Sequence, residues 1–376
     1  MNLSIILTYR CNSRCSMCHI WQHPTLPAEE MTPATLARLP SGLDRILITG
    51  GEPTLRRDLE EVVDILLPKA RRLVISTNGL QADKLERIAR AHPDVAFRIS
   101  MDGLGLKNDT LRGERNGFAR KQETLRRLAT AGTRQVGLAT VVQDENCDQV
   151  FELHQRAKSI GGEVAVAALH NGFQFHKIDN EPANRIRTAR AIQPLLAEWL
   201  GSRRPGDWFR AALHLGLIRK ILGQPRRQPC PAGRDFAVLD PWGRLYACPI
   251  RPDLEMGDLS KQTWRQILRG PGTAQARTRV RRCTHNCCLE DHIDSAARRF
   301  RFPGLSRWQA LRWILAGKLR SALRRPIDFD QAVDFRDVAH SSVARRRESW
   351  LGKPFRPAFQ HQTDQPYGKY NNVMNK

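Results

Sequence analysis

The sequence lacks any uninterrupted apolar run of about 18 residues, the length that a membrane-spanning helix requires. Its N-terminus also lacks the basic segment and long apolar stretch of a secretory signal peptide. Acidic residues are scarce, since 38 Asp and Glu stand against 61 Lys and Arg, and the formal net charge is +23. These features predict a cytoplasmic protein with an anionic substrate or partner.

The cysteines indicate metal ligation. Nine cysteines lie at short spacings in a chain of 376 residues without a secretory signal, a pattern that disfavours disulfides. The first group, Cys11, Cys15 and Cys18, follows the strand-like run 3–9. Three thiolates are one too few to complete a zinc site or to ligate every iron of a four-iron cluster. A four-iron cluster held in this way keeps one iron open to a ligand, and a zinc loop is the alternative.

Strand-like and helix-like segments alternate from residue 3 to about residue 222. The predicted strands cover residues 3–9, 45–49, 73–76, 95–100, 135–142 and 163–169. Six such βα units predict an α/β fold with a parallel sheet and helices outside it. In barrels of this kind, active sites form at the carboxyl ends of the strands.

Two motifs resemble those of the radical S-adenosylmethionine (SAM) enzymes. Cys11, Cys15 and Cys18 have the CxxxCxxC spacing, and Gly50-Gly51-Glu52 after the second strand resembles the GGE motif. The resemblance implies a partial (β/α)6 TIM-type barrel in which the three cysteines ligate a [4Fe-4S] cluster and SAM chelates the fourth iron. It also implies reductive cleavage of SAM to a 5′-deoxyadenosyl radical, which abstracts hydrogen from a substrate. A flavodoxin- or ferredoxin-like protein would supply the electron.

The resemblance assigns SAM contacts to polar residues and glycines at strand ends: Gly50, Gly51, Glu52, Ser76, Asn78, Ser100 and Asp102. The first three would contact the amino group of SAM, the next two its carboxylate or sulfonium side, and the last two its ribose hydroxyls. For the last four residues, a polar side chain that caps a turn is an equal alternative. His170 and His176 follow the sixth strand and are candidates on the substrate side, with an ordered loop as the alternative.

A second cysteine group follows a linker at residues 223–229 and comprises Cys230, Cys248, Cys283, Cys287 and Cys288. Cys230, Gly243 and Cys248 fit the spacing CX9–15GX4C, so this region resembles the auxiliary-cluster extension of the SPASM/twitch group. The resemblance implies one auxiliary [4Fe-4S] cluster on Cys230, Cys248, Cys283 and Cys287. Cys288 in place of Cys287, and zinc with His285 among its ligands, are the alternatives.

The sequence therefore predicts three regions. Residues 1–222 form the partial barrel, residues 223–296 the auxiliary-cluster domain, and residues 297–376 a basic, partly helical extension. Within the extension, Leu305–Arg325 has an apolar side surrounded by basic residues. This pattern predicts either peripheral contact with an anionic membrane or a helix that packs its apolar side on the barrel.

For the substrate we expect a small anionic molecule or one linked to a sugar or lipid, because only ten residues precede Cys11 to recognise a peptide. Maturation of a ribosomal peptide is the alternative within the family. A non-catalytic metal-binding protein that contacts nucleic acid is the alternative of another class. No specific nucleic-acid partner is expected, since that alternative leaves Gly50-Gly51-Glu52 unexplained.

Overall fold

The computed structural model describes residues 1–226, 229–285, 287 and 307–338. Met1–Val338 form one compact unit. The strands of the described residues are β1 (Asn2–Ile6), β2 (Arg45–Thr49), β3 (Leu73–Thr77), β4 (Ala96–Ser100), β5 (Val136–Val142), β6 (Val164–Ala168), β7 (Phe236–Leu239), β8 (Arg244–Tyr246) and β9 (Glu255–Asp258). They join in one sheet in the order β6-β5-β4-β3-β2-β1-β7-β8-β9.

Helices alternate with the first six strands and then continue through the C-terminal part. Their bounds are α1 (Pro33–Ala37), α2 (Leu59–Leu66), α3 (Ala82–Ala91), α4 (Leu106–Arg112), α5 (Gly117–Thr130), α6 (Val150–Ser159), α7 (Arg185–Arg190), α8 (Gln193–Gly201), α9 (Pro205–Ile221), α10 (Trp264–Arg269), α11 (Pro271–Arg281) and α12 (Arg307–Ala322). Strands β1 to β6 are parallel to their neighbours, so the predicted α/β fold of the partial TIM-type barrel is confirmed.

The six predicted strands form because their apolar runs are buried on both faces of a parallel sheet. All five residues of β1 are buried, and every residue of β3 except Ser76 is buried. The first strand ends at Ile6, before its predicted end at Tyr9. The reason is a side-chain interaction, since the backbone N–H of Tyr9 donates to Thr25 Oγ1 over 3.1 Å instead of to a neighbouring strand.

Two helical segments differ from the sequence-based expectation. The sequence predicts one helix over residues 181–200, but the structure divides this segment into α7 and α8. Pro194 lies in the first turn of α8 and lacks the N–H that a continuous helix needs. Helix α4 was not predicted. It ends at Gly113, whose left-handed φ of 58° is typical of the residue that terminates a helix.

The second cysteine region extends the same sheet. Strand β7 pairs in parallel with β1, β8 pairs antiparallel with β7, and β9 pairs antiparallel with β8. Residues 241–243 predict a hairpin turn, and strands β7 and β8 form that hairpin. In the turn, Asp240 Oδ1 accepts from the backbone N–H groups of Trp242 and Arg244. The predicted boundary after residue 222 thus falls in a loop between two parts of one sheet.

Helix α12 lies in the described part of the basic extension, which covers residues 307–338. Ala310, Trp313 and Ile314 are buried on the side that packs against α8 and α9. The predicted helix began at Leu305, which lies outside the described residues. Across the ranges that the structure describes, no helix combines the length and the apolar character needed to cross a bilayer.

Candidate functional site

An open cleft lies at the carboxyl ends of the parallel strands. Its volume is about 790 Å³ including the open mouth. Ten residues that the sequence assigns to cofactor or substrate line it: Cys11, Cys15, Cys18, Gly50, Gly51, Glu52, Ser76, Asn78, Ser100 and His170. The fold therefore brings together residues from five separate segments of the chain, whereas Asp102 and His176 are not among the lining residues.

The three N-terminal cysteines share one wall of this cleft. Burial raises the pKa of Cys11 to about 12 and that of Cys18 to about 11, with a smaller contribution from the neighbouring Cys15. Burial also raises the pKa of Cys15. Without a bound metal centre, these adjacent buried thiols are therefore protonated. A positively charged iron–sulfur centre would instead bind them as thiolates. Three thiols that face an open cleft fit a cluster with one iron left for a small ligand.

The cysteine loop rests on the C-terminal end of α4. The backbone N–H of Arg14 donates to Arg112 O and that of Ser16 to Leu111 O, both over 2.9 Å. At Gly113 an added Cβ would lie 2.6 Å from Arg14 O, so only glycine permits this close approach. The unpaired carbonyls at the end of a helix thus position the loop that carries the cysteines.

Gly50 and Gly51 allow β2 to end directly against the chain that leads into Cys11. An added Cβ would lie 2.7 Å from Thr8 O at Gly50 and 2.2 Å from Arg10 O at Gly51. The contact is held by two backbone hydrogen bonds of 2.7 Å, from Gly51 N to Thr8 O and from Glu52 N to Arg10 O. In this structure the two glycines are therefore required by backbone packing.

The carboxylate of Glu52 is fully buried at the cleft wall. Its Oε1 accepts from the hydroxyls of Thr54 and Thr77, both over 2.7 Å, and from the backbone N–H of Thr54. Its Oε2 accepts from the backbone N–H of Asn78 over 2.6 Å. Burial raises the pKa of Glu52, although these hydrogen bonds oppose the shift. The result is a rigidly oriented acceptor for a cationic group.

Arg112 is a cleft residue that was not identified from the sequence. Its Nη1 lies 2.5 Å from Asp102 Oδ2, and its charge opposes the rise in the pKa of Cys15 that burial causes. The other Asp102 oxygen accepts from the backbone N–H of Val141 over 2.7 Å. Asp102 is buried and does not line the cleft, whereas Arg112 does. The ribose contact assigned to Asp102 therefore stays a prediction.

Beneath the cysteine loop lies a buried ion pair, which the sequence-based reasoning also missed. Lys121 Nζ is 2.6 Å from Glu114 Oε2, and both side chains are almost completely excluded from solvent. Glu114 Oε1 accepts from Ser13 Oγ over 2.6 Å, and Ser13 Oγ in turn accepts from Asn78 Nδ2 over 2.9 Å. Burial lowers the pKa of Lys121 to about 8. This network joins α5 to the cysteine loop and to the end of β3.

The two candidate histidines have different positions. His170 lines the cleft, with its Nδ1 3.0 Å from Ala168 O and its ring edge-on to Phe175. Burial lowers the pKa of His170 to about 3, so it is neutral at physiological pH. His176 instead stacks on His23 at a ring distance of 4.3 Å, and burial lowers its pKa to about 4.

The second cysteine group also assembles in space. The thiols of Cys248 and Cys287 form a hydrogen bond, which lowers the pKa of Cys248 and raises that of Cys287. Burial raises the pKa of Cys230 to about 11, with further contributions from Cys248 and Cys283. Cys288, the alternative ligand, lies outside the described residues.

Zinc with His285 among its ligands stays the alternative to a cluster at the second cysteine group. Among the residues with described positions, no three His, Cys, Asp or Glu side chains are close enough together to bind one metal ion. Zinc ligands converge to roughly 2.0–2.3 Å from one point, whereas the thiolates of an iron–sulfur cluster bind different irons and stand further apart. His285 does lie close to one thiol, with Nδ1 3.0 Å from Cys287 Sγ.

Comparison with known proteins identifies the family. A profile described as "Radical SAM superfamily" matches residues 5–157. Mycofactocin maturase MftC of Mycobacterium ulcerans is 29% identical over 65% of this chain and 67% of its own length. The antilisterial bacteriocin subtilosin biosynthesis protein AlbA of Bacillus subtilis is 22% identical over 70% of this chain and 58% of its own. Pre-heme d1 synthase of Dinoroseobacter shibae is 29% identical over 52% of this chain and 50% of its own.

The chain thus spans about half to two thirds of the length of these relatives. Among solved structures, Streptococcus suis SuiB bound to S-adenosylmethionine has a TM-score of 0.57 at 15% identity and covers 74% of this chain and 67% of its own. That likeness supports the fold. The profile match bears out the resemblance drawn from the two motifs: residues 5–157 are a radical SAM domain, and the enzymes of that superfamily use a [4Fe-4S] cluster and SAM.

Proposed function

We propose that this radical SAM enzyme modifies a ribosomally made precursor peptide. The similarity to MftC and AlbA, a maturase and a bacteriocin biosynthesis protein, extends over 255 and 276 residues of alignment. This is far more than the radical SAM match at residues 5–157 covers. The length of this similarity is the observation that carries the proposal, and it favours peptide maturation over the oxidation of a small molecule.

A small anionic substrate is the second candidate. Pre-heme d1 synthase is also a relative, although its alignment covers only 52% of this chain. The net charge of +23 is compatible with either an anionic small molecule or an acidic peptide. The two candidates share the cleft and differ in what binds at its mouth.

In the proposed site, Cys11, Cys15 and Cys18 hold the [4Fe-4S] cluster at the cleft wall. When bound, the cluster and SAM supply a 5′-deoxyadenosyl radical by one-electron cleavage of SAM. Glu52 receives the amino group of SAM, because its carboxylate is already oriented by hydrogen bonds from Thr54, Thr77 and Asn78. Arg112 provides a positive charge at the cleft wall for the carboxylate of SAM.

The remaining residues of the cleft position SAM and exclude water. Ser76, Asn78 and Ser100 offer polar contacts at the strand ends, as the family resemblance implies. Apolar side chains such as Leu169 and Phe175 line the same cleft, and neutral His170 lies between them in the sequence. An apolar lining of this kind shields a reactive carbon radical from water.

We further propose that Cys230, Cys248, Cys283 and Cys287 hold one auxiliary [4Fe-4S] cluster. The mutual effects of these thiols on their pKa values support the proposal, because they require the side chains to be neighbours. Lys220 and Arg226 add positive charge beside the group, which opposes the rise in the pKa values of Cys287 and Cys230. A flavodoxin- or ferredoxin-like electron donor is part of the proposal.

The proposal is tested on protein purified and reconstituted without oxygen. We expect about eight irons per chain, as two [4Fe-4S] clusters require, and formation of 5′-deoxyadenosine from SAM and dithionite. Short peptides encoded beside the gene are then added, and mass spectrometry follows loss of hydrogen from the peptide. If an anionic small molecule stimulates SAM cleavage and none of these peptides does, the small-molecule substrate becomes the first candidate.

Matched cysteine variants provide the control for the metal content. Cys15→Ala should abolish SAM cleavage and lower the iron content by about half. Cys147→Ala removes a buried thiol that lies outside both groups and donates to Asp144 O, and it should leave both quantities unchanged. If the two variants behave alike, or if the purified protein contains zinc and no iron, the assignment of Cys15 is wrong.

A further inference from the structure

Helix α12 presents an apolar stripe to solvent. The outward stripe comprises five large side chains at helical spacing that are between 40% and 82% exposed: Trp308, Leu311, Leu315, Leu319 and Leu323. It extends about 22 Å at a rise of roughly 1.5 Å per residue. Isolated exposed leucines are ordinary, but a contiguous apolar stripe of this length marks an interaction surface.

The opposite side of α12 is already used for packing, so the stripe is not the core-facing side. Gly317 lies close to Leu200 of α8, where an added Cβ would be 2.9 Å from a leucine methyl carbon. Lys318 Nζ donates to Ser202 O over 3.0 Å and stands over the ring of Trp208. The helix therefore has two apolar sides, one packed and one exposed. The exposed side is the apolar side that the sequence predicted to contact either a membrane or the barrel.

Exposed basic side chains lie beside the stripe and at its C-terminal end. Between Arg307 and Arg325 the sequence contains six Lys or Arg and no Asp or Glu. Arg312 is exposed one helical turn from Trp308 and Leu315, and Arg324 and Arg325 are exposed at the C-terminal end. Apolar side chains with a basic border match the boundary between the acyl chains and headgroups of an anionic bilayer.

We propose that the outward stripe of α12 binds the surface of an anionic lipid bilayer and holds the enzyme there peripherally. The charge pattern favours this occupant over others. Residues 339–376 of the same chain contain seven basic and two acidic residues, so their charge has the same sign as the border of the stripe. A second copy of α12 would bring like charges together for the same reason. The inference does not depend on which substrate the cleft binds.

The test measures binding of the reconstituted full-length enzyme to vesicles by co-sedimentation. We expect binding to vesicles of phosphatidylcholine mixed with phosphatidylglycerol, and at least tenfold weaker binding to phosphatidylcholine alone. Raising the salt concentration should weaken the binding, because it screens the basic border. Equal binding to both kinds of vesicle, or no binding to either, would overturn the proposal.

A double variant locates the contact. Leu315→Glu with Leu319→Glu keeps good helix formers in α12 but places carboxylates in the stripe. We expect its affinity for anionic vesicles to fall at least tenfold, while Leu26→Glu, at a lone leucine that is 63% exposed, should bind as wild type does. Unchanged SAM cleavage in the double variant shows that it is folded and separates this test from that of the reaction.

Two outcomes would assign the stripe differently. If the double variant binds vesicles as well as wild type, another basic segment makes the contact and the proposal is wrong. If wild type shows no vesicle binding but forms dimers in sedimentation analysis that the double variant disperses, the stripe is an interface between copies. A blue shift of tryptophan emission on vesicle addition, absent in Trp308→Phe, would place the stripe itself in the lipid.

Discussion

Replacing Gly51 by alanine is expected to destabilise the protein even before any cofactor is bound. The added Cβ would lie 2.2 Å from Arg10 O and 2.7 Å from Tyr9 O, distances that nonbonded carbon and oxygen atoms do not tolerate. The backbone must move, since no flexible side chain can yield in its place. That movement pulls on the residue that immediately precedes Cys11.

The cost follows from the hydrogen bonds that hold this contact. Gly51 N donates to Thr8 O and Glu52 N donates to Arg10 O, both over 2.7 Å. Each backbone hydrogen bond contributes about 0.5–1.5 kcal/mol to stability, so loss of both costs about 1–3 kcal/mol. The ratio of folded to unfolded protein would fall roughly 5- to 150-fold.

The assay is urea unfolding of the cluster-free protein, with Gly206→Ala as the matched control. An added Cβ at Gly206 meets no atom within 4 Å, and alanine is the better helix former, so the control should be as stable as wild type or more stable. We also expect Gly51→Ala to bind less iron, because Cys11 is displaced. If cluster-free Gly51→Ala unfolds at the same urea concentration as wild type, the glycine is not needed for packing and our reasoning is refuted.

Three further predictions concern buried groups. Glu114→Gln leaves Lys121 buried without its carboxylate partner and should lower the free energy of unfolding by about 3–5 kcal/mol in denaturant titration, whereas a change under 1 kcal/mol would contradict the buried pair. Burial raises the pKa of Asp240 to about 7, so the folded protein binds this proton more tightly than the unfolded chain does. The free energy of unfolding should therefore decline as pH rises from about 4 to 7. In thermal unfolding, Asp240→Asn should lack the part of this decline that Asp240 causes, and identical pH profiles for wild type and variant would contradict the prediction. Because the Cys287 thiol is hydrogen-bonded to that of Cys248, we expect Cys287→Ser to lose auxiliary iron and Cys288→Ser to retain it, as measured by iron content. The reverse result would make Cys288 the ligand.

Much of the fold could be predicted because its signals are local. The apolar runs that became β1 to β6 are recognisable in the sequence, since a strand buried on both faces needs apolar residues at consecutive positions. The pairing of β7 with β1 could not be predicted, because it joins residues more than two hundred positions apart. Short helices such as α4 also escape detection, since seven residues carry too little periodicity.

The candidate site divides in the same way. The cysteine spacing and the paired glycines are visible in the sequence, but the reason for the glycines is visible only in the structure, where Gly51 packs on Arg10. Arg112, Glu114 and Lys121 carry no motif. Their importance comes from burial, which makes each charge depend on a partner brought near by folding.

The sequence by itself determined that three thiols can reach one metal centre, because Cys11, Cys15 and Cys18 lie within eight residues of one loop. Only the tertiary structure decided which polar side chains face the cleft. Ser76, Asn78 and Ser100 line it, while Asp102 is turned to Arg112 and the backbone of β5. The physical reason is that ligand spacing is set by covalent geometry, whereas the direction of a buried charge is set by whichever partner long-range packing supplies.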